Sequence, residues 1–89
     1  MIYEHQWPVD AVRDLERFDS NIADRITKKV SWFCNQNNPL RHAEQLTGQY
    51  KGVYRFRVGD YRTLFEKNER GQLVILMILR VKHRREAYK

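Results

Sequence analysis

The apolar residues of this chain change their spacing once. Val9, Val12, Leu15 and Phe18, then Ile22, Ile26, Val30 and Phe33, recur every three to four positions, whereas Tyr54, Phe56 and Val58 recur every second one. The first spacing is that of a helix with one buried stripe, the second that of a strand with one buried face. Helices that precede strands in this way predict an α+β domain. With 89 residues and 42% apolar content, residues 1–89 are expected to form a single soluble domain with a modest core.

Punctuation sharpens the reading. Turn-forming residues cluster at Asn35–Pro39, Thr47–Gly52, Gly59–Asp60 and Asn68–Gln72. Ile2–Trp7 is a candidate strand stopped by Pro8, which suits the first turn of a helix over Pro8–Phe18. Asn21, with Asp24 three residues on, resembles the start of a second helix, which runs to the Asn-Gln-Asn-Asn-Pro breaker. A helical hairpin is therefore predicted. Val53–Val58, Tyr61–Lys67 and Leu73–Val81 follow as an antiparallel three-strand meander, the first turn being Gly59-Asp60. The last strand is apolar at nearly every position. It is expected to be central and covered on much of both faces, with the helices packed on one side of the sheet. The order of the strands is not readable from this pattern.

Charge is distributed unevenly. Residues 1–50 hold 6 Lys+Arg against 7 Asp+Glu, and residues 51–89 hold 11 against 4, so the net charge of +6 belongs to the C-terminal half. Such asymmetry points to a polyanionic partner: nucleic acid, an acidic protein segment or an anionic surface. On the strand pattern, Arg55 and Arg57 share the face opposite Tyr54, Phe56 and Val58, and the short turn brings Arg62 near them. Guanidinium forks match phosphate oxygens and stabilise charge that builds during phosphoryl transfer. The same arginines also suit a plain solvated sheet face or carboxylate pairs.

The terminal run Lys82-His83-Arg84-Arg85-Glu86-Ala87-Tyr88-Lys89 adds cations, one histidine suited to proton transfer near neutral pH and one tyrosine able to stack on a base. His5 and His42 lack such company and are read as structural or exposed. Cys34 has no partner for a disulfide or a zinc site and is read as a half-buried helix residue.

Absences narrow the chemistry. There is no Gly-rich phosphate loop, HExxH motif or nucleophile elbow, so nucleotide hydrolysis, zinc chemistry and serine hydrolysis lack support. Asp60, Glu66, Glu69 and Glu86 are dispersed and suggest no magnesium site, so neither a metal nor a cofactor is expected. A nuclease built this way would act on RNA, whose own 2′-hydroxyl attacks the adjacent phosphate. Met1–Asp10 has neither a basic start nor an apolar run, and Leu73–Leu79 is too short to span a bilayer. A cytoplasmic protein without membrane contact is expected.

Leu46-x-Gly48, the run Tyr54-Arg55-Phe56-Arg57-Val58-Gly59-Asp60-Tyr61-Arg62 and the ending Lys82-His83-Arg84-Arg85-Glu86-Ala87-Tyr88 together resemble the RelE/ParE toxin superfamily. The likeness spans nearly the whole chain, and the basic strand residues with a terminal tyrosine resemble the RelE-like mRNA interferase branch. It implies the toxin of a type II toxin–antitoxin system: a ribosome-dependent endoribonuclease that cuts mRNA in the A site and is neutralised by a cognate antitoxin. By the same resemblance Arg55 and Arg57 contact the scissile region, Arg62 stabilises transition-state charge and Tyr88 stacks on the mRNA base. The family's tail adds a further cationic or acid group, a place that Lys82, His83 and Arg84 all lie near; His83 is favoured there for proton transfer and Arg84 for phosphate, with Lys51, Lys82 and Arg85 as further RNA contacts, and operator DNA is met only through the antitoxin complex. The chain departs from the family at 55 and 57, where lysines are common: a guanidinium stays protonated and makes a poor general base. The alternatives are a ParE-like poison of DNA gyrase, whose members usually lack the terminal tyrosine, and a noncatalytic basic module that binds its antitoxin and assists repression.

Overall fold

The computed structural model describes residues 4–80. Helix α1, Val9–Glu16, starts behind Pro8, and Val12 donates its amide to the Pro8 carbonyl at 3.0 Å. Its buried side is the expected one only in part. Ala11 is fully buried and Leu15 and Phe18 pack on the core, while Val9 is 64% exposed and Val12 37%. The small Ala11 lets the helix lie close to the sheet, and this sets its rotation in place of the two valines. Helix α2, Ser20–Cys34, starts one residue before Asn21 and buries Ile26, Val30 and Phe33, three of the four predicted stripe residues. Cys34 is buried rather than half-buried, and burial pushes its thiol up to about 11.

The strands are β1 His5–Gln6, β2 Glu44–Gln45, β3 Val53–Val58, β4 Tyr61–Lys67 and β5 Leu73–Arg80. They form one five-stranded sheet in the order β1-β5-β4-β3-β2, with β1 parallel to β5 and every other pair antiparallel. The expected three-strand meander is therefore the centre of a mixed sheet. A two-residue strand is too short to show a period, which is why the sequence pattern does not show β2; of the expected strand Ile2–Trp7, His5–Gln6 is strand and Glu4 and Trp7 are not, while Ile2 and Tyr3 lie outside the described residues. Hydrogen bonds from distant sequence hold β1 in place: Leu73 donates its backbone amide to the Glu4 carbonyl at 2.9 Å, and the Gln72 side chain donates from Nε2 to the Glu4 carboxylate at 2.8 Å.

The β3–β4 turn is Gly59-Asp60, with φ of +58° at Gly59, a region where a Cβ would be strained. Asn68 shapes the β4–β5 loop by accepting the amides of Arg70 at 3.0 Å and Gln72 at 2.9 Å. Both helices cover one face of the sheet. Phe33 of α2 stacks on Phe56 of β3 with centroids 4.3 Å apart, and Phe56 stacks on Phe65 of β4 at the same spacing. The edge of β5 beyond β1 is covered by α1, whose Asp14 carboxylate accepts the Ile78 amide.

The opposite face stays open among the described residues, against the expectation that β5 is covered on both sides. Met77 is 44% exposed and Leu79 46%. Two helices suffice for one layer only. No described helix is long and apolar enough to cross a membrane.

Candidate nucleic-acid interface

The open face is built by strand alternation. Arg55 and Arg57 of β3 lie on it because Phe56 and Val58 are turned to the core, and Arg62 of β4 lies on it because Tyr61 and Thr63 are buried. Register then decides neighbours: Arg57 stands directly opposite Arg62, and Arg55 opposite Leu64. In β5 a bulge sets two residues, Leu76 and Met77, against the single Leu64. It keeps Ile75 and Ile78 both buried while Leu76 and Met77 are left on the outer side. The result is an apolar depression of about 480 Å³ lined by Leu64, Leu76, Met77 and Leu79 of the strands. Arg55, Arg62 and Tyr50 also line it.

The three arginines are held differently. Arg55 donates from Nε and Nη2 to Oε2 of Glu44, at 2.8 and 2.5 Å, and this pair is partly exposed. The Arg55 hydrogen bond, then its charge, holds the Glu44 carboxyl below the usual carboxylate range, and the charges of Arg57 and Arg62 add to the shift. Arg62 folds over its own turn, donating from Nη1 to the carbonyls of Gly59 and Tyr61, both at 2.9 Å. Its Nε and Nη2 make no hydrogen bond with the described residues. Arg57 is exposed and has no hydrogen bond or ion pair there. Like charges directly opposite each other on a sheet are destabilising, and a bound anion would relieve the Arg57/Arg62 pair.

Lys51 is exposed and precedes β3, at the end of that strand away from the Gly59 turn. Lys82, His83, Arg84, Arg85 and Tyr88 lie outside the described residues. Of the other histidines, His42 packs its ring near Trp32 and Phe33, and His5, on the far edge strand β1, has its pKa lowered by burial. Sequence reasoning missed Glu44, which lies on a strand too short to recognise. It also missed Arg25, Lys28 and Lys29 of α2, which line a cleft with Arg57. Their helical spacing was legible, but their nearness to Arg57 was not.

A family model described as the ParE toxin of a type II toxin–antitoxin system matches residues 6–88. The fold is similar to that in the RelBE2 toxin–antitoxin complex from Mycobacterium tuberculosis, with a TM-score of 0.75 and 24% identity over 90% of this chain and 99% of that one. The RelB–RelE complex from Methanococcus jannaschii gives a TM-score of 0.62 and 28% identity over 93% of this chain and 94% of that one. The archaeal RelE–RelB complex from Pyrococcus horikoshii OT3 gives 0.65 and 21% over 90% and 96%. Among curated protein sequences the chain has no match.

Proposed function

The chain belongs to the ParE toxin family of type II toxin–antitoxin systems, and from that premise we propose that it works in the RelE-like manner, cutting mRNA in the ribosomal A site. The observation that carries this reading is the register of β3 and β4, with Arg57 facing Arg62 and Arg55 on the same face. Three guanidiniums on one open face suit a scissile phosphate, binding its oxygens and stabilising the charge that builds on them.

The 2′-hydroxyl of the preceding nucleotide attacks the phosphorus, the bond to the 5′-oxygen breaks, and the ends are a 2′,3′-cyclic phosphate and a 5′-hydroxyl. No metal ion is required, because charge is stabilised by arginine. Arg62 is assigned the transition-state charge, Arg55 and Arg57 the phosphate. Arg55 must first leave Glu44. Proton transfer is assigned to His83, phosphate contact to Arg84, base stacking to Tyr88 and backbone contacts to Lys51, Lys82 and Arg85. All of these except Lys51 lie outside the described residues, and their roles rest on the chemistry of the side chains and on the resemblance.

A cognate antitoxin completes the proposal. An acidic amphipathic segment would lay apolar side chains on Leu76, Met77 and Leu79 and carboxylates beside Arg55 and Arg62, blocking the RNA face. Operator DNA is then met only through that complex. The similar solved structures from Mycobacterium tuberculosis, Pyrococcus horikoshii OT3 and Methanococcus jannaschii are toxin–antitoxin complexes.

Induced expression in a bacterial host, followed by primer extension on an abundant mRNA, tests the reading, with Arg62→Ala and Tyr88→Ala as controls. Breaks confined to translated codons, and absent in the folded variants, are the expected result. A second reading, poisoning of DNA gyrase, is favoured by the ParE description of the matching family. Growth arrest with intact mRNA and gyrase-linked DNA breaks would establish it instead, and antitoxin binding without either lesion would leave a noncatalytic module.

A further inference from the structure

The cationic surface does not end at the sheet. Arg25, Lys28, Lys29 and Trp32 follow one another at helical spacing along α2, and all four are exposed. With Arg57 and Gly59 they line a cleft of about 450 Å³ between the helix and the β3–β4 turn, and no carboxylate among the described residues lines it.

Two features join this cleft to the arginine face. β2 pairs with β3 at Tyr54 and Arg55, so from Phe56 to Val58 β3 is an open edge among the described residues, and Arg57 serves both surfaces. Gly59 lies between them: the Arg25 guanidinium sits 3.0 Å from where a Cβ on Gly59 would stand, while Arg62 donates to the Gly59 carbonyl. Guanidiniums from the helix and the sheet thus flank one turn residue that has no side chain.

Trp32 supplies the other half of the recognition. The residue is 47% exposed, its ring packed edge-on against Phe33 and His42, with the Lys29 ammonium 4.2 Å from its centroid. An exposed cation–π contact is weaker than base stacking on an aromatic ring, so a base can displace Lys29 toward a phosphate. An aromatic plane interleaved with cations is the pattern of a single-stranded nucleic-acid groove.

We propose that this cleft is a second RNA-contact surface, taking single-stranded RNA that runs off the arginine face around the open edge of β3. Phosphates lie on Arg25, Lys28, Arg57 and the displaced Lys29, and a base stacks on Trp32. The inference rests on the reading of the sheet face as an RNA site.

The test is fluorescence titration of the full chain with an uncleavable 2′-O-methyl single-stranded oligonucleotide, with Trp32→Phe to assign the signal. Quenching of Trp32 is expected, and Trp32→Ala should weaken binding roughly 5- to 150-fold. Lys28→Gln/Lys29→Gln should flatten the dependence of log affinity on log salt by about 1.4, at about 0.7 per phosphate contact. Unchanged fluorescence and an unchanged salt slope, in a chain that still cuts mRNA on ribosomes, would overturn this inference and leave the proposed function standing. Intact quenching in a chain that cuts no mRNA would do the reverse. If the double variant lost affinity for poly-glutamate but not for RNA, the cleft would belong to an acidic protein segment and the inference would fall.

Discussion

Arg62→Ala separates chemistry from folding, because the structure lets both effects be sized. The substitution removes two hydrogen bonds from a guanidinium to carbonyls at 2.9 Å, those of Gly59 and Tyr61. Charged hydrogen bonds are worth about 1.5–3 kcal/mol when buried, but the one to Gly59 is exposed, so about 1–2 kcal/mol in all is a fair loss. Against this, the substitution removes the repulsion from Arg57 directly opposite, about 0.2–1 kcal/mol. The net cost of about 1 kcal/mol lowers Tm by about 4–8 °C for a domain of this size. Cleavage, by contrast, should fall about 100-fold or more, the usual cost of losing one donor to a developing oxyanion.

The assay is rate of mRNA cleavage on programmed ribosomes, paired with thermal unfolding followed by circular dichroism. Arg57→Ala is the companion variant. Arg57 has no described partner to lose, so its removal should leave Tm unchanged or slightly raised while still weakening the phosphate site. Retention of near-full cleavage by Arg62→Ala would refute the assignment of transition-state charge to this residue. A fall in Tm beyond about 20 °C would refute the energy balance instead, and would mark Arg62 as a structural residue of the turn.

Other changes probe the surroundings. Glu44→Gln should free Arg55 and tighten binding of single-stranded RNA at neutral pH in a filter-binding assay; equal affinity would mean that the ion pair does not compete with phosphate. Because the Glu44 carboxyl is held below its ordinary range, the pair is intact above that range and is lost only as pH falls through the lowered value. Lowering pH through that lowered value should therefore tighten RNA binding by the parent chain but not by the variant. Phe56→Ala should cost about 3–5 kcal/mol in denaturant unfolding, since Phe56 is fully buried between Phe33 and Phe65. Thr63→Val should stabilise the fold by about 1 kcal/mol, because the Thr63 hydroxyl is buried with no partner among the described residues; destabilisation would reveal a bound water.

Legibility followed the length of each pattern. β3 and β4 have the bounds expected, because alternation over six and seven residues, broken by a Gly-Asp turn, leaves little freedom. Helix α2 was legible for the same reason. In α1 the pattern misled: Val9 and Val12 continue the apolar stripe in sequence, yet the helix turns Ala11 to the sheet. The apolar run of β5 predicts burial over much of both faces. Its outer half is instead an exposed floor between arginines, and the run gives no sign of the bulge that makes it so.

What the sequence alone determined is which side of each long element is apolar, where the chain reverses, and that cations gather in the C-terminal half, since these follow from residue order and local sterics. That Arg55, Arg57 and Arg62 would share a face followed from the period of a strand. Tertiary structure decided which of them are already engaged and what stands beside them. Glu44 reaches Arg55 because β2 pairs there, Arg57 meets Arg62 through the register, and Arg25 meets Gly59 because α2 packs across the hairpin turn. Periodicity specifies directions about one element's own axis, whereas such meetings depend on how separate elements are placed in space by the core they jointly bury.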